Sequence, residues 1–190
     1  LSTTGPTTAT GIIRNDDLGD TVLPAAIRFG SALTGLVAAD VGDTRVNGEQ
    51  LSNQQFSGVA ALSGGGYVVT YSSALIVPGA PGIFDANQQD IFARRFDSAG
   101  NALGPDVRVN TTTAGSQFIS TIAPLSNGGY VIVWSSEASG TGSSILFGQR
   151  FAADGSAQGG EFQISSVTDG PQSIGGIVGL PGGGFAIAFA

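Results

Sequence analysis

A chain of 190 residues is long enough for one or two domains with a real core, and 41% apolar against 11% charged residues describes a folded, weakly charged object. It contains no Cys, His, Met or Lys, which excludes thiol and imidazole nucleophiles, His-ligated zinc, Lys Schiff bases and every Ser-His-Asp arrangement. A net charge of -7 carried alongside seven dispersed Arg excludes nucleic acid as a partner, since phosphate binding needs clustered cations, whereas divalent cations remain compatible.

The 31 Gly residues are too scattered for collagen and read as turn residues of a strand-rich protein. Absence of Cys leaves the compartment open. Leu1 is followed by Ser, Thr and Gly rather than a basic and then an apolar run, so no signal peptide is visible. No apolar run approaches the roughly 20 residues of a membrane-spanning helix, so no transmembrane segment is expected. The start without Met and the stop inside an apolar strand pattern at Ala190 lead us to expect a piece of something longer.

In chain order, a Thr-rich start gives way to Ala9-Thr10-Gly11-Ile12-Ile13-Arg14-Asn15-Asp16-Asp17. On its own this is a short β-branched strand followed by a turn. It also resembles the closing strand of Calx-β domains, a family in which acidic residues after the last strand help to bind calcium. The resemblance implies Asp16 and Asp17 as metal ligands, with Asn15 where a third acid would stand; the competing reading is a solvated turn between modules. Residues 1–26 are accordingly expected to be the end of a preceding Calx-β-like module and a linker, and residues 27–190 a repeat domain.

The repeat is read from residues 117–134. A Gln lies 13 residues before an aromatic three times, as Gln54/Tyr67, Gln117/Tyr130 and Gln172/Phe185, each with a Leu five before that aromatic and a second aromatic four after it. Second halves match as well: Arg95-Phe96 with Arg150-Phe151, Gly100 with Gly155, Gly104 with Gly159, and Val107-Arg108-Val109-Asn110 with Phe162-Gln163-Ile164-Ser165. Arg28-Phe29 and Thr44-Arg45-Val46-Asn47 form a degraded copy of that second half.

Period-2 alternation, β-branched and aromatic enrichment and Gly/Asn/Asp punctuation predict strands at 118–125, 130–134, 145–151 and 161–165, with essentially no helix. Four short antiparallel strands recurring every 55 to 63 residues are what a β-propeller blade requires. Each such sheet should be apolar on both faces, because it packs on the blade before and the blade after. The expected fold is all-β, an incomplete propeller of blade-like sheets: a half blade at 27–47, blades at 54–110 and 117–165, and a half blade at 172–190. The alternative is a β-sandwich.

Gly128 to Ser136 (Gly-Gly-Tyr-Val-Ile-Val-Trp-Ser-Ser), Gln149-Arg150-Phe151 with Asp154-Gly155, and Arg108-Val109-Asn110-Thr111 resemble the tandem repeats of very large bacterial surface and secreted proteins of the RTX, type I-exported kind. That resemblance implies an extracellular or cell-surface location, adhesion, and a calcium-dependent context. The Gly-Gly-x-Gly-x-Asp nonapeptide of RTX proteins is absent, so calcium dependence does not follow from it.

What repeats reads as scaffold. Gln54, Gln117 and Gln172 are expected to tie neighbouring backbones where blades meet, and Arg95 and Arg150 to stack or pair within the scaffold. Asp97 to Asn101 and Ala153 to Ser156 are hairpin turns. The clearest departure is residues 74–89: Tyr71 and Arg95 stand 24 apart where Trp134 and Arg150 stand 16 apart. The eight extra residues read as an apolar loop that either folds back over a propeller face or, the reading favoured here, presents Leu75, Ile76, Val77, Ile83 and Phe84 to a partner. Asp85, Asn87 and Asp90 supply oxygens at a spacing compatible with Ca²⁺, a weak signal without a compact acidic cluster. Asp and Glu are the only plausible acid-base groups and form no recognisable constellation, so an enzyme is not expected and no cofactor other than calcium is implied.

Two functions follow. One is a structural or adhesive module joining other protein chains in a homo-oligomer or larger extracellular assembly. The other is a lectin-like propeller binding carbohydrate through Tyr67, Tyr71, Tyr130 and Trp134. Two blades and two complementary halves total three, whereas propellers typically close with about four to eight, so assembly with other chains is expected in preference to the alternative, that sequence outside these 190 residues completes the terminal sheets.

Overall fold

The computed structural model describes residues 46–47, 54–76, 84–137, 143–166 and 170–190, with the backbone alone described at 56–57, 75–76 and 84–87. The chain divides into two compact units, Leu1–Val46 and Asn47–Ala190, and all the described strands lie in the second. Asp16, Asp17, Val77 and Ile83 fall outside the described residues, as does the expected module boundary near residue 26.

The unit is all-β, and its sheets do not close into a barrel. The first sheet contains β1 (Gln54–Leu62), β2 (Gly66–Ile76), β3 (Phe84–Phe96) and β4 (Val107–Arg108). In the second are β5 (Ser116–Pro124), β6 (Tyr130–Glu137), β7 (Ser144–Phe151) and β8 (Ala157–Gln163). Both are antiparallel meanders in chain order. The third sheet is the hairpin of β9 (Ile174–Gly179) and β10 (Phe185–Phe189), with a short 3-10 turn at Pro181–Gly183 between them. First strands pack in succession, β5 on β1 and β9 on β5. A propeller-like fan and a sandwich stack both accommodate these sheets.

Local chemistry explains why the three sheets look alike. Gly65 and Gly128 hold the left-handed backbone of the turn after the first strand, φ 87° and 88°. The next residue must also be Gly: a Cβ on Gly66 would lie 2.4 Å from the carbonyl oxygen of Phe96, and one on Gly129 would lie 2.3 Å from that of Phe151. Close approach of the second and third strands then sets aromatic on aromatic, with Tyr67 stacked on Phe96 at 4.8 Å and Tyr130 on Phe151 at 5.1 Å.

The first strand of each sheet carries a bulge in the same place. Register shifts fall between Gln55 and Gly58 in β1, between Phe118 and Thr121 in β5, and opposite the Ala188/Phe189 step in β9. In β5 the bulge puts Ile119 at φ 49°, where a β-branched side chain costs on the order of 1–2 kcal/mol. The bulge turns Ser120 inward, and its hydroxyl meets that of Thr70 in the first sheet at 3.0 Å.

Two expectations are corrected. Residues 74–89 do not form a loop throughout: β2 runs on to Ile76 and β3 starts at Phe84, with Leu75 opposite Asp85 and Ile76 opposite Phe84. The ladder steps over residues 86–88 as a bulge and then resumes, so part of the insertion lengthens the hairpin. The fourth strand of the second sheet begins at Ala157, four residues before the predicted 161, because the Ala152–Ser156 turn is closed by its own hydrogen bonds and delivers Ala157 directly opposite Phe151. In the first sheet that strand shrinks to two residues after Pro105, which has no amide to give to a ladder. Among the described residues no helix is long and apolar enough to cross a membrane.

Candidate functional site

The joints between sheets follow one rule. At the first joint Ala60, Val68, Ile91, Ala93 and Val109 of the first sheet pack against Ile122, Tyr130, Ile132, Trp134 and Phe151 of the second. At the second joint Ala123, Leu125, Val131 and Val133 receive Ile174, Ile177, Phe185 and Ile187 of the third sheet. Every residue of β6 from Tyr130 to Ser135 is consequently buried, which is the both-faces-apolar sheet that the repeat predicts.

Shifting Ala123, Leu125, Val131 and Val133 forward by one repeat gives Val178, Leu180, Ala186 and Ala188. Here the positions that the second joint buries are exposed, Val178 by 56% and Leu180 by 41%; on the opposite face, Phe189 is 42% exposed at the strand end. Ala186 and Ala188 are exposed as well. No charged residue occurs from Gly170 to Ala190. This face, together with the outer edge of β10, is the candidate site. Among the described residues β10 pairs only with β9, whereas β2 and β6 are paired on both edges.

An Arg from each complete sheet clamps the next one. Arg95 donates from Nη2 to the carbonyl of Ala153 at 2.7 Å and from Nη1 to that of Asp154, both in the β7–β8 turn. Arg150 donates to the carbonyl of Gly183 at 2.7 Å, and its guanidinium lies 5.1 Å from the centre of the Phe185 ring. Gly155, at φ 87°, leaves room for Arg95, since a Cβ there would sit 2.7 Å from the Arg95 Cδ. Beside this clamp, Ala93, Leu103, Val107 and Tyr130 help to line an inter-sheet cleft of about 190 Å³.

Electrostatics around the clamp are local. Burial pushes the Tyr130 hydroxyl up to about 12, with Arg95 lowering and Asp154 raising it in smaller measure. Asp154 is held below the usual carboxylate range first by the Ser156 hydroxyl, and Asp97 first by the Asn101 side chain. These are the hairpin turns predicted from sequence; the Gly100 amide bonds the Asp97 carbonyl at 3.1 Å, as Gly155 bonds Ala152 at 3.0 Å.

The Gln positions work differently from the expectation. Gln117 is buried within its own sheet, where it accepts the Trp134 indole N–H at 3.1 Å and donates to the Ala114 carbonyl. Gln54 accepts from the Asn47 side chain. At Gln172 the backbone amide and carbonyl meet the Ser144 hydroxyl at 2.8 and 3.2 Å, joining the second and third sheets.

Of the residues proposed for calcium, only Asp90 has a described side chain. It is buried and receives the Asn110 side-chain amide at 2.6 Å, with Arg108 at 3.6 Å, while Asn110 also accepts the Ile91 amide at 2.8 Å. Ser165 caps the Leu146 amide in the equivalent place. Among the described residues no three His, Cys, Asp or Glu gather as a metal would require. Of the aromatics proposed for sugar, Tyr71, Tyr130 and Trp134 are buried and Tyr67 is half-buried under its stack on Phe96, so they offer little ring face to a ligand. Leu75, Ile76 and Phe84 lie in the extended β2–β3 hairpin.

Sequence reasoning missed Val178, Leu180, Ala186 and Ala188. The signal was present, because the repeat alignment assigns them to positions that the neighbouring copy covers. No known protein family, curated protein or solved structure matches this chain.

Proposed function

We propose that this chain is a non-catalytic structural module of an extracellular bacterial repeat protein, and that it acts by assembling with other protein chains. The observation that carries this reading is the third sheet's outer face, which no described residue covers: Val178 and Leu180 are exposed at positions that the second sheet buries. Exposed apolar side chains on a chain this poor in charge favour contact with another protein. The notable polar groups support the same reading, since Arg95, Arg150, Gln117 and Asp90 all bond to the scaffold itself. Burial of Tyr71, Tyr130 and Trp134 tells against a sugar platform.

The extended β2–β3 hairpin is a second contact region in this proposal, with Leu75, Ile76, Val77, Ile83 and Phe84 meeting a neighbour. Calcium enters only through Asp16, Asp17, Asp85, Asn87 and Asp90; a melting temperature unchanged by calcium or chelator removes it. The reading itself is tested by the mass of the protein in solution. A mass above that of one 18.9 kDa chain is expected, and a monodisperse, cooperatively folded monomer at every concentration refutes it.

A further inference from the structure

The two complete sheets differ at one cross-strand pair that faces the next sheet. On the repeat alignment, Ala93 and Val107 of the first sheet stand where the second has Gly148 and Phe162. Each pair lies directly across its ladder, Ala93 opposite Val107 and Gly148 opposite Phe162. In the second sheet the glycine makes room for the ring, since a Cβ on Gly148 would lie 3.0 Å from the Phe162 Cζ. Phe162 thereby takes a place in the second joint, its ring centre 6.2 Å from that of Phe185 at a tilt of 44°.

In the first joint the corresponding place lies between Ala93 and Val107 on one side and Tyr130, the counterpart of Phe185, on the other. There the two sheets leave the cleft of about 190 Å³. Val109, which matches Ile164, is buried against the second sheet, so β4 is seated as β8 is, and what differs is the side chain at the ring position. Leu103 and Val107 are exposed where they line the cleft. Its walls are all described residues of one compact unit. An enclosed apolar cavity of about 150 Å³ is large enough for benzene, so this cleft takes one six-membered ring with a small substituent.

We propose that this cleft binds a small, uncharged aromatic molecule, a single ring of about the size of phenol, in the place where the second joint seats its own Phe162. The site lies within one chain, between two complete sheets, and is independent of the assembly reading above. Charge selects the class of ring. Arg95 and Asp154 both line the cleft, so a carboxylate on the ring would meet the Asp154 carboxylate and an ammonium would meet the Arg95 guanidinium, each a like-charge contact. A hydroxyl avoids both and can donate to the carboxylate.

The test titrates the full 190-residue chain with 4-fluorophenol, followed by fluorine NMR. Saturable binding is expected, weaker on the order of tenfold for 4-fluorobenzoate and for 4-fluorobenzylamine. Nuclear Overhauser contacts from the ring should reach the methyl groups of Ala93 and Val107 in the wild-type chain. A93G/V107F rebuilds the Gly148/Phe162 pair in the first sheet; it should remain folded by circular dichroism and bind 4-fluorophenol more weakly, again on the order of tenfold. Absence of saturable binding to wild type overturns the proposal, as does undiminished binding to a folded A93G/V107F. Ring contacts confined to methyl groups other than those of Ala93 and Val107 overturn it whatever the variant does. Equal binding of the two charged analogues overturns the assignment to uncharged rings.

Discussion

The second and third sheets begin with the same grammar and end differently. β6 is paired on both edges and covered on both faces; β10, among the described residues, is paired on one edge and covered on one face. The difference lies in neighbours rather than in residues, since Phe185, Ile187 and Phe189 occupy the places of Tyr130, Ile132 and Trp134. An apolar alternation on both faces is thus a statement about what a strand expects beside it. Where no described neighbour lies beside it, the same pattern is left exposed.

Breaking the contrast at its buried end should have the largest effect. Trp134→Ala removes a fully buried indole and strands the Gln117 acceptor, and is expected to cost about 3–5 kcal/mol in denaturant unfolding. Phe189→Ala, at the equivalent position of the open sheet, should cost below about 1 kcal/mol under monomeric conditions. Similar losses for the two would mean that the third sheet is covered after all. A smaller effect is expected at the clamp: Arg95→Met keeps much of the stem but loses the bonds to Ala153 and Asp154, for a loss of about 1–2 kcal/mol, read by the same unfolding curves.

The smallest effect concerns pH. Asp97 and Asp154 have lowered folded pKa values, so the stability of their turns is present above the unfolded value of about 4 and is lost as pH falls through the folded values. Unfolding curves taken downward from neutral pH should therefore decline only below about pH 4. D97N/D154N, which keeps a side-chain acceptor in each turn and cannot ionise there, should flatten that decline. Tyr130 acts at the other end: its raised pKa gives stability that is complete below the unfolded value of about 10 and is lost as pH rises toward about 12.

Much of this architecture was legible because the chain repeats itself. The Gly pairs and the aromatics four apart reflect local steric demands that recur in all three sheets, and a left-handed Gly closes the matching turns at Gly100 and Gly155 of the two complete ones, so position could be read by counting. Long-range choices were less visible. That Arg95 reaches the β7–β8 turn, or that Gln117 bonds Trp134 rather than a neighbouring sheet, depends on how sheets stack, and single-strand patterns hold no record of that. Residues 74–89 misled for a related reason: Pro78, Gly79, Pro81 and Gly82 announce a loop, while the ladder on either side carries the strands past Ala74 as far as Ile76. The candidate site was hidden in plain alternation, because Val178 and Ala186 look like core until the copy meant to cover them is sought.

Hydrogen exchange on the 190-residue chain at several protein concentrations tests the contrast most directly. The account predicts that the amides of β6 are protected at every concentration, and that the amides of β10 exchange fast in dilute solution and slow down as concentration rises. Protection of the β10 amides equal to that of β6 at the lowest concentration would contradict it, and so would fast exchange at them at the highest.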